Sequence, residues 1–330
     1  MVPLELEADL VLEGGGVKGI ALVGAIEVLE ERGYRFRRVA GTSAGAIVGS
    51  LVAAGVPATR LVEIMRSLHY PDLLDGSWAS GTVVGKAAAV LAHSGIYRGE
   101  RLRTWLRSQL DEHGVRTFAD LPYLDPAQPP APERAYSLVV TASDISHERL
   151  RYLPWEYDVY GRDPGTQDVA DAVRASMSIP FLYRPVRWRG PGGEETWLVD
   201  GGLLSDFPIS IFDTPPEVAP RWPTLGIKLS TRAEAVQGEH HRITGPLSMS
   251  VAMLRTMNEF FDRMHIDDPD AQARTIFVDT GHVRATDFDL TEADQDFLYR
   301  SGRAAAEKFL DGTSTRAPWD FEKYLATYRG

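Results

Sequence analysis

The chain has 330 residues, of which 44% are hydrophobic and 25% are charged, as in an ordinary globular protein that can bury a sizeable core. It contains no cysteine, so disulfides, thiol nucleophiles and thiolate metal sites are excluded. The net charge of −11, without a basic stripe, argues against a nucleic-acid partner and against adsorption onto anionic membranes by charge alone. Transient contact with a membrane surface through an apolar patch stays open.

The sequence shows no secretory or membrane-spanning segment. Its first five residues lack the basic and apolar regions of a secretory signal. The longest weakly polar stretch, residues 44–58, is interrupted by glycines and Pro57 and is shorter than the roughly 20 apolar residues that span a bilayer. We therefore interpret this stretch as a buried helix and expect a cytoplasmic protein.

Residues 9–54 alternate short apolar strands with helices. Strands are predicted over residues 9–13 and 36–40, and each continues through a glycine-containing turn into a helix, over 20–29 and 46–54 respectively. Because parallel strands joined by helices build the sheet of α/β proteins, this order indicates an α/β fold with a parallel sheet.

The elements that follow are spaced less evenly. Helical spacing is found over residues 60–68, 99–110 and 169–176, and strands are predicted over 136–142 and 196–199.

Two segments in this region are irregular. Residues 70–94 are rich in glycine and serine, and we interpret them as a surface excursion that is either a lid over a site or an insert with ordinary packing. Residues 125–132 hold four prolines, which excludes a helix or a central strand there.

The last part of the chain is predicted to contain strands over residues 225–229 and 275–278 and a helix over 247–264. A final helix begins at a capping box formed by Thr291 and Asp294, with aspartate in place of the usual glutamate. It ends near Leu310, where Gly312 suits the C-terminal stop.

A glycine-rich loop follows the first predicted strand. It consists of Gly14, Gly15, Gly16, Val17, Lys18 and Gly19. Glycines let the backbone turn tightly without side chains that would cover its N–H groups, and the N-terminus of the next helix adds a positive partial charge. Such a loop can hold a phosphate or the oxyanion of a tetrahedral intermediate.

The same loop matches the dinucleotide-binding pattern G-x-G-x-x-G. That interpretation requires an acidic residue at the end of the second strand, near Ala40, to bind the ribose. No carboxylate stands there, so the sequence argues against NAD.

The residues that follow Ala40 form the G-x-S-x-G pattern of a nucleophile elbow. They are Gly41, Thr42, Ser43, Ala44 and Gly45. In this motif the serine lies on a strained turn between a strand and a helix, and the flanking glycines relieve crowding. We therefore predict that Ser43 is a nucleophile, a role that requires a base.

Two kinds of base are available to Ser43. Many hydrolases use a downstream histidine, and the candidates, none with a distinctive local context, are His240, His241, His265 and His282. The alternative is the aspartate of Asp200-Gly201-Gly202, which follows an apolar strand and is turned by two glycines. An aspartate within hydrogen-bond reach could take the serine proton directly if the site raised its pKa above the usual value of about 3.9.

These three motifs, in this order, resemble the patatin-like phospholipase family. The resemblance extends to Gly95-Ile96-Tyr97-Arg98-Gly99, to the segment from Asp171 through Ser176 to Pro185, and to Pro208. It covers residues 9–212, which we assign to one acyl hydrolase domain. Residues 213–330 match more weakly and are expected to add strands and helices to the same core. Asp206 stands where the family pattern has asparagine, a position expected to be structural.

The resemblance implies a three-layer α/β fold with helices on both faces of a parallel sheet. It also implies hydrolysis of lipid or other acyl esters by a Ser43–Asp200 dyad that needs no cofactor and no metal. The backbone N–H groups of Gly15 and Gly16 would bind the oxyanion, with Val17 or Lys18 as a further donor. The Lys18 residue is expected to act through its backbone or through packing.

Two alternatives to this dyad stay open on the sequence. One is a catalytically silent lipid-binding protein of the same fold, and the other is a serine esterase with a histidine triad. The acidic cluster of Asp267, Asp268 and Asp270 lacks the spacing of an EF-hand loop, and we interpret it as a solvated loop.

Overall fold

A computed structural model describes residues 6–76, 82, 85, 89–90, 92–125, 129–215, 217–229, 243, 252 and 268–329. Some of the residues discussed above lie outside these ranges. They are most of the predicted helix 247–264, part of segment 70–94, His240, His241, His265 and Asp267.

The described helices and strands follow one another in mixed order along the chain. The helices are α1 (Gly19–Glu31), α2 (Ala44–Ala53), α3 (Ala58–Ser67), α4 (Glu100–Asp111), α5 (Val169–Ser176), α6 (Pro269–Ala273), α7 (Glu292–Asp311) and α8 (Phe321–Tyr328). The strands are β1 (Leu6–Leu12), β2 (Tyr34–Gly41), β3 (Gly95–Tyr97), β4 (Leu138–Asp144), β5 (Arg149–Leu153), β6 (Phe181–Tyr183), β7 (Val186–Arg189), β8 (Glu195–Asp200), β9 (Thr224–Lys228) and β10 (Thr275–Phe277). Among the helices in these described ranges, none combines the length and the apolar character that crossing a membrane requires.

Most of the strands form one large sheet. Its order is β10-β9-β1-β2-β4-β8-β7, and β5 also pairs with β4. The strands from β10 to β4 are parallel, whereas β5, β7 and β8 run antiparallel to their neighbours. β3 and β6 form a separate parallel pair. The structure therefore confirms the predicted α/β class with a mostly parallel sheet.

Alternate residues of the central strands enter two hydrophobic clusters, one on each face of the sheet. On one face Leu10 and Val39 belong to the same cluster as the apolar residues of α1, α2 and α5. On the other face Val11 and Ala40 pack in a cluster with Phe212 and with a residue of α6. The sheet is thus buried on both faces, as expected of parallel strands.

One edge of β4 is shared by two strands that meet end to end. Val140 pairs with Gly41 of β2 and with Leu153 of β5, while Ala142 pairs with Asp200 of β8 and with a residue of β5. Because β5 occupies one edge throughout, β2 and β8 must share the other. The C-terminal ends of β2 and β8 therefore face each other next to Thr141.

The predicted elements that fall on described residues are all present, with ends that differ by a few residues at most. The capping box of Thr291 and Asp294 is confirmed at the beginning of α7. The sequence did not predict β3, β5, β6, β7, α6 or α8. These elements are short, and β5 and β7 carry arginines at alternate positions, so they lack the apolar runs that mark a core strand.

Helices α1 and α7 touch through glycines. A Cβ added to Gly302 of α7 would lie 2.0 Å from the carbonyl oxygen of Ala21, and one added to Gly24 of α1 would lie 2.3 Å from that of Tyr299. The absence of side chains at Gly24 and Gly302 lets the two helix backbones approach directly. This contact fixes α7 against the helix that follows the glycine-rich loop.

Gly302→Ala should lower the free energy of unfolding by on the order of 2 kcal/mol because the new methyl group overlaps the Ala21 carbonyl. In an uncrowded helix the same change would stabilise by up to about 1 kcal/mol, so the sign of the effect is diagnostic. Chemical denaturation measures it, with Ser301→Ala, at a partly exposed position of α7, as the control. A Gly302→Ala protein as stable as the control would contradict the close contact.

Candidate active site

Ser43 lies at the turn between β2 and α2, immediately before the helix. Its backbone angles are φ 52° and ψ −119°, a conformation that residues other than glycine rarely adopt. A Cβ on Gly41 would lie 2.3 Å from the Gly45 carbonyl oxygen, and one on Gly45 would lie 2.4 Å from the Leu12 carbonyl oxygen. The two glycines therefore allow a turn too tight for any other residue, in the strand–turn–helix context of a nucleophile elbow.

The carboxylate of Asp200 meets Ser43 at the end of β8. The Ser43 hydroxyl donates to Asp200 Oδ2 at 2.8 Å, and the Gly202 N–H donates to Oδ1 at 2.8 Å. Only 4% of Ser43 and 5% of Asp200 is exposed. Burial raises the pKa of Asp200 to about 7, although the hydrogen bonds from Gly202 and Ser43 act in the opposite direction. The two residues singled out in the sequence are thus in contact, and the carboxylate is more basic than usual.

Two threonines form a hydrogen bond where the C-terminal ends of β2 and β8 face each other. The hydroxyls of Thr42 and Thr141, both fully buried, are 2.7 Å apart and hydrogen-bonded. A Cβ on Gly201 would lie 2.2 Å from Thr141 Oγ1, so only glycine fits directly after Asp200. Thr141 therefore contacts both the nucleophile turn and the aspartate turn.

The C-terminal end of α5 supports both Ser43 and Asp200. Ser176 Oγ accepts a hydrogen bond from the Ser43 N–H at 2.9 Å, and Met177 Sδ lies 3.4 Å from the Ser43 hydroxyl. The Asp200 N–H donates to the carbonyl oxygen of Ser178 at 3.0 Å. One short segment thus holds the backbone of the two residues in place. The spacing of Ser176 in the sequence gives no sign of this contact, although the residue belongs to a segment that resembles the family.

Arg174 anchors this segment from within α5. It is 5% exposed, and its Nη1 donates to Ser178 Oγ at 2.5 Å. Its Nη2 donates to the carbonyl oxygens of Arg184, at 2.8 Å, and of Arg98. Burial lowers the pKa of Arg174. The guanidinium group therefore links α5 to the ends of β3 and β6.

The glycine-rich loop lies beside Ser43, since a Cβ on Gly14 would be 3.2 Å from the Ser43 Cβ. Three of its N–H groups have backbone partners. Those of Gly14, Val17 and Lys18 donate to the carbonyl oxygens of Asp206, Ala285 and Gly15 respectively.

In contrast, the N–H groups of Gly15 and Gly16 have no hydrogen-bond partner within the described ranges. The expected further donor, Val17 or Lys18, therefore has its N–H group engaged in a backbone hydrogen bond.

Close packing explains why Gly15 and Gly16 are glycines. A Cβ on Gly15 would lie 2.4 Å from Leu229 Cδ1. Gly16 has a φ of +57°, and a Cβ there would lie 1.9 Å from the Ala285 carbonyl oxygen. Gly19 begins α1. The loop is therefore clamped from outside by residues that follow β9 and β10.

Two charged side chains flank the loop. Lys18 Nζ donates to the Leu229 carbonyl oxygen at 3.2 Å, and burial lowers the pKa of Lys18. Asp206 packs between the two glycine motifs, since its Oδ1 would lie 2.0 Å from a Cβ on Gly14 and 2.8 Å from one on Gly202. The Lys18 side chain is thus tied by a hydrogen bond to the residue that follows β9, and Asp206 lies where the family pattern places asparagine.

The described histidines do not join this site. His282 Nε2 pairs with Asp294 Oδ1 at 3.0 Å at the beginning of α7, and 78% of its side chain is exposed. None of the histidines within the described ranges forms a hydrogen bond with Ser43 or Asp200.

The acidic cluster predicted as a solvated loop has structural roles in the part that the structure describes. Asp268 caps α6, and Asp270 pairs with Arg274 at 3.4 Å. Over the same ranges, no group of three potential metal-ligating side chains is found.

Comparison with known proteins shows which family this chain resembles. The family model described as patatin-like phospholipase matches residues 10–213. The uncharacterized protein YqhO of Bacillus subtilis is 34% identical over 303 residues, which are 92% of this chain and 97% of YqhO. The uncharacterized NTE family protein Rv2565 of Mycobacterium tuberculosis is 31% identical over 215 residues, but the match spans only 29% of that protein and 63% of this chain.

Solved structures that align with this chain are more distant in sequence. VipD from Legionella pneumophila aligns with a TM-score of 0.49 and 18% identity, covering 93% of this chain and 66% of VipD. ExoU in the ExoU–SpcU complex from the type III secretion system of Pseudomonas aeruginosa aligns with a TM-score of 0.45 and 18% identity, covering 98% of this chain and 52% of that chain.

Ser176→Ala should lower kcat for hydrolysis of a p-nitrophenyl ester on the order of tenfold, with little change in KM, because the buried Ser43 N–H loses its acceptor and the strained turn is less well fixed. Steady-state kinetics measure both constants. Ser50→Ala is the matched control, since Ser50 is a buried serine of α2 whose hydroxyl donates to the Ile47 carbonyl oxygen in the preceding turn of the same helix. Equal kcat values for the two variants would contradict the positioning role of Ser176.

Proposed function

The chain belongs to the patatin-like phospholipase family, and we propose that it hydrolyses acyl esters of lipids with Ser43 as the nucleophile and Asp200 as the base. The observation that carries this proposal is the 2.8 Å hydrogen bond from the Ser43 hydroxyl to a buried carboxylate. A serine on a strained turn, a base in contact with it and free N–H groups beside it are the parts that acyl transfer requires.

In the proposed reaction, Ser43 Oγ attacks the ester carbonyl carbon while Asp200 takes the hydroxyl proton. The negative charge that develops on the carbonyl oxygen is stabilised by the N–H groups of Gly15 and Gly16. Asp200 then gives the proton to the departing alcohol, which leaves an acyl-serine. Water attacks this ester with Asp200 again as base, and the fatty acid leaves as Ser43 recovers its proton.

The burial of Asp200 suits the role of a general base. An ordinary aspartate, with a pKa near 3.9, is too weak a base to accept the serine proton effectively. Burial raises the pKa of Asp200 to about 7, so the carboxylate is both ionised to a large extent and appreciably basic near neutral pH. The helix N-terminus of α2, directly after Ser43, adds a positive partial charge beside the developing oxyanion.

Two other functions are distinguished by the same experiments. A silent lipid-binding protein of this fold would bind lipid without turnover. A histidine-triad esterase would retain activity without Asp200 and lose it when one of His240, His241, His265 or His282 is replaced. The Ser43–Asp200 contact favours the dyad over both.

Hydrolysis of p-nitrophenyl esters of graded chain length, and then of phospholipid vesicles, tests the proposal. Ser43→Ala and Asp200→Asn should each reduce kcat by at least about a hundredfold because each removes a group that acts in the transition state. Circular dichroism controls for folding, and Ser50→Ala controls for the loss of a buried hydroxyl. Activity that survives Asp200→Asn but not a histidine replacement would overturn the dyad.

The pH dependence of kcat/KM should follow the ionisation of Asp200. The carboxylate must be deprotonated to act as a base, so activity should rise with pH and level off above an inflection near 7, the raised pKa. Below the inflection it should fall about tenfold per pH unit. Initial rates on a soluble ester across the pH range measure this profile. An inflection near pH 4 would show that burial does not raise the pKa of the base.

A further inference from the structure

A cavity of about 490 Å³ lies beside α5, away from the Ser43–Asp200 contact, and arginine dominates its walls. Its lining includes five arginines, which are Arg98, Arg103, Arg174, Arg184 and Arg187. Only two of its lining residues, Glu100 and Asp171, are acidic. This excess of positive charge contrasts with the net charge of −11 for the chain as a whole.

The two carboxylates of the cavity are already used by one of the arginines. Arg103 pairs with Asp171 and, at 3.3 Å, with Glu100. Arg187 lies 3.7 Å from Glu195 and stacks on the ring of Trp197. The guanidinium groups of Arg98, Arg174 and Arg184 are left without an ion pair among the described residues.

The backbone brings Arg98 and Arg184 together. Tyr97 of β3 pairs with Tyr183 of β6, and each arginine directly follows one of these residues. Arg174 then bridges the two by donating to both of their carbonyl oxygens. The arrangement is therefore fixed by strand pairing and by a buried side chain.

The positive charge of this pair is only partly compensated by nearby carboxylates. Burial and the nearby charge of Arg98 lower the pKa of Arg184, whose Nε is buried without a hydrogen-bond partner. Asp75 opposes these charges, but its carboxylate caps α4 by accepting from the N–H groups of Gly99, Glu100 and Arg101. Like charges held together in this way favour a bound anion.

We propose that this cavity binds a phosphate-bearing ligand through the guanidinium groups of Arg98 and Arg184. Arginine presents paired N–H donors that match two phosphate oxygens, and two such groups can contact one phosphate. Arg174 contributes charge, since its donors are largely taken by carbonyl oxygens and by Ser178. The phosphate could belong to a lipid headgroup or to a small soluble molecule.

The cavity is connected to the base of the dyad. Arg174 donates to Ser178 Oγ, and the carbonyl oxygen of Ser178 accepts the Asp200 N–H. A ligand bound to Arg98 and Arg184 would therefore act, through Arg174 and Ser178, on the segment that holds Asp200. Binding of the ligand does not require ester hydrolysis, so this proposal can be tested independently of the proposed function.

Isothermal titration calorimetry with inorganic phosphate, in a phosphate-free buffer at constant ionic strength, tests the site directly. Flotation with phosphatidylcholine vesicles that contain phosphatidic acid tests a lipid source. The comparison vesicles contain oleate in place of phosphatidic acid, in the amount that gives the same surface charge without a phosphate group. Arg98→Gln and Arg184→Gln should each weaken binding at least about tenfold, because each removes a charge-assisted pair of donors. Arg189→Gln is the matched control, an exposed arginine of β7 outside the cavity lining.

Binding of inorganic phosphate that is lost in both variants and kept in Arg189→Gln supports the site and a soluble ligand. If this pattern is seen with phosphatidic acid vesicles and not with inorganic phosphate, the site is supported and its ligand is a lipid headgroup. No binding of either probe to the wild type, or equal weakening in Arg189→Gln, overturns it. Should Arg184→Gln fail to fold, Arg98→Gln, at an exposed position, carries the test. Ester hydrolysis measured on the same samples shows which of the two proposals fails.

Discussion

The site depends on the way β2 and β8 share one edge of β4. β2 runs parallel to β4 as far as Val140, and β8 runs antiparallel to it from Ala142, so their C-terminal ends meet beside Thr141. Ser43 follows one end and Asp200 is the other, which places two side chains 157 positions apart in the sequence within hydrogen-bond distance. Gly41, Gly45 and Gly201 are required because each approaches a neighbouring backbone or side chain more closely than a Cβ allows.

The same junction accounts for the chemistry that we propose. Two strand ends that meet inside the protein exclude water from the carboxylate, and this desolvation is what raises the pKa of Asp200. A dyad can dispense with histidine only if its aspartate is made basic in this way. The segment after α5 completes the arrangement, because Ser176 holds the backbone of Ser43 and Ser178 holds that of Asp200. Desolvation destabilises the ionised carboxylate, and this same effect supplies the basicity that proton transfer needs.

Much of this could be predicted from the sequence, because local patterns encode local structure. The glycine-rich loop, the Ser43 turn and the Asp200 turn each follow an apolar strand, and all three strands are where the pattern placed them. The contact between Ser43 and Asp200 was a hypothesis, since periodicity does not tell which strands pair or in which register. The roles of Ser176 and Arg174 could not be predicted, because a buried hydroxyl or guanidinium group leaves no spacing signal and its partners lie far away in the sequence. The N–H group of Val17 is engaged for a similar reason, since its acceptor is the carbonyl oxygen of Ala285, which follows β10, whereas the Lys18 N–H donates within the loop to the carbonyl oxygen of Gly15.

The most direct test of the account is covalent labelling by a fluorophosphonate, followed by peptide mapping by mass spectrometry. The probe reports the activated serine without any assumption about the natural ester. If Asp200 activates Ser43, the wild-type protein is labelled at Ser43, and Asp200→Asn, with its fold intact, is labelled at least about a hundredfold more slowly. Labelling of another serine, or labelling of Ser43 at the same rate in Asp200→Asn, would contradict the claim that a buried aspartate activates this residue.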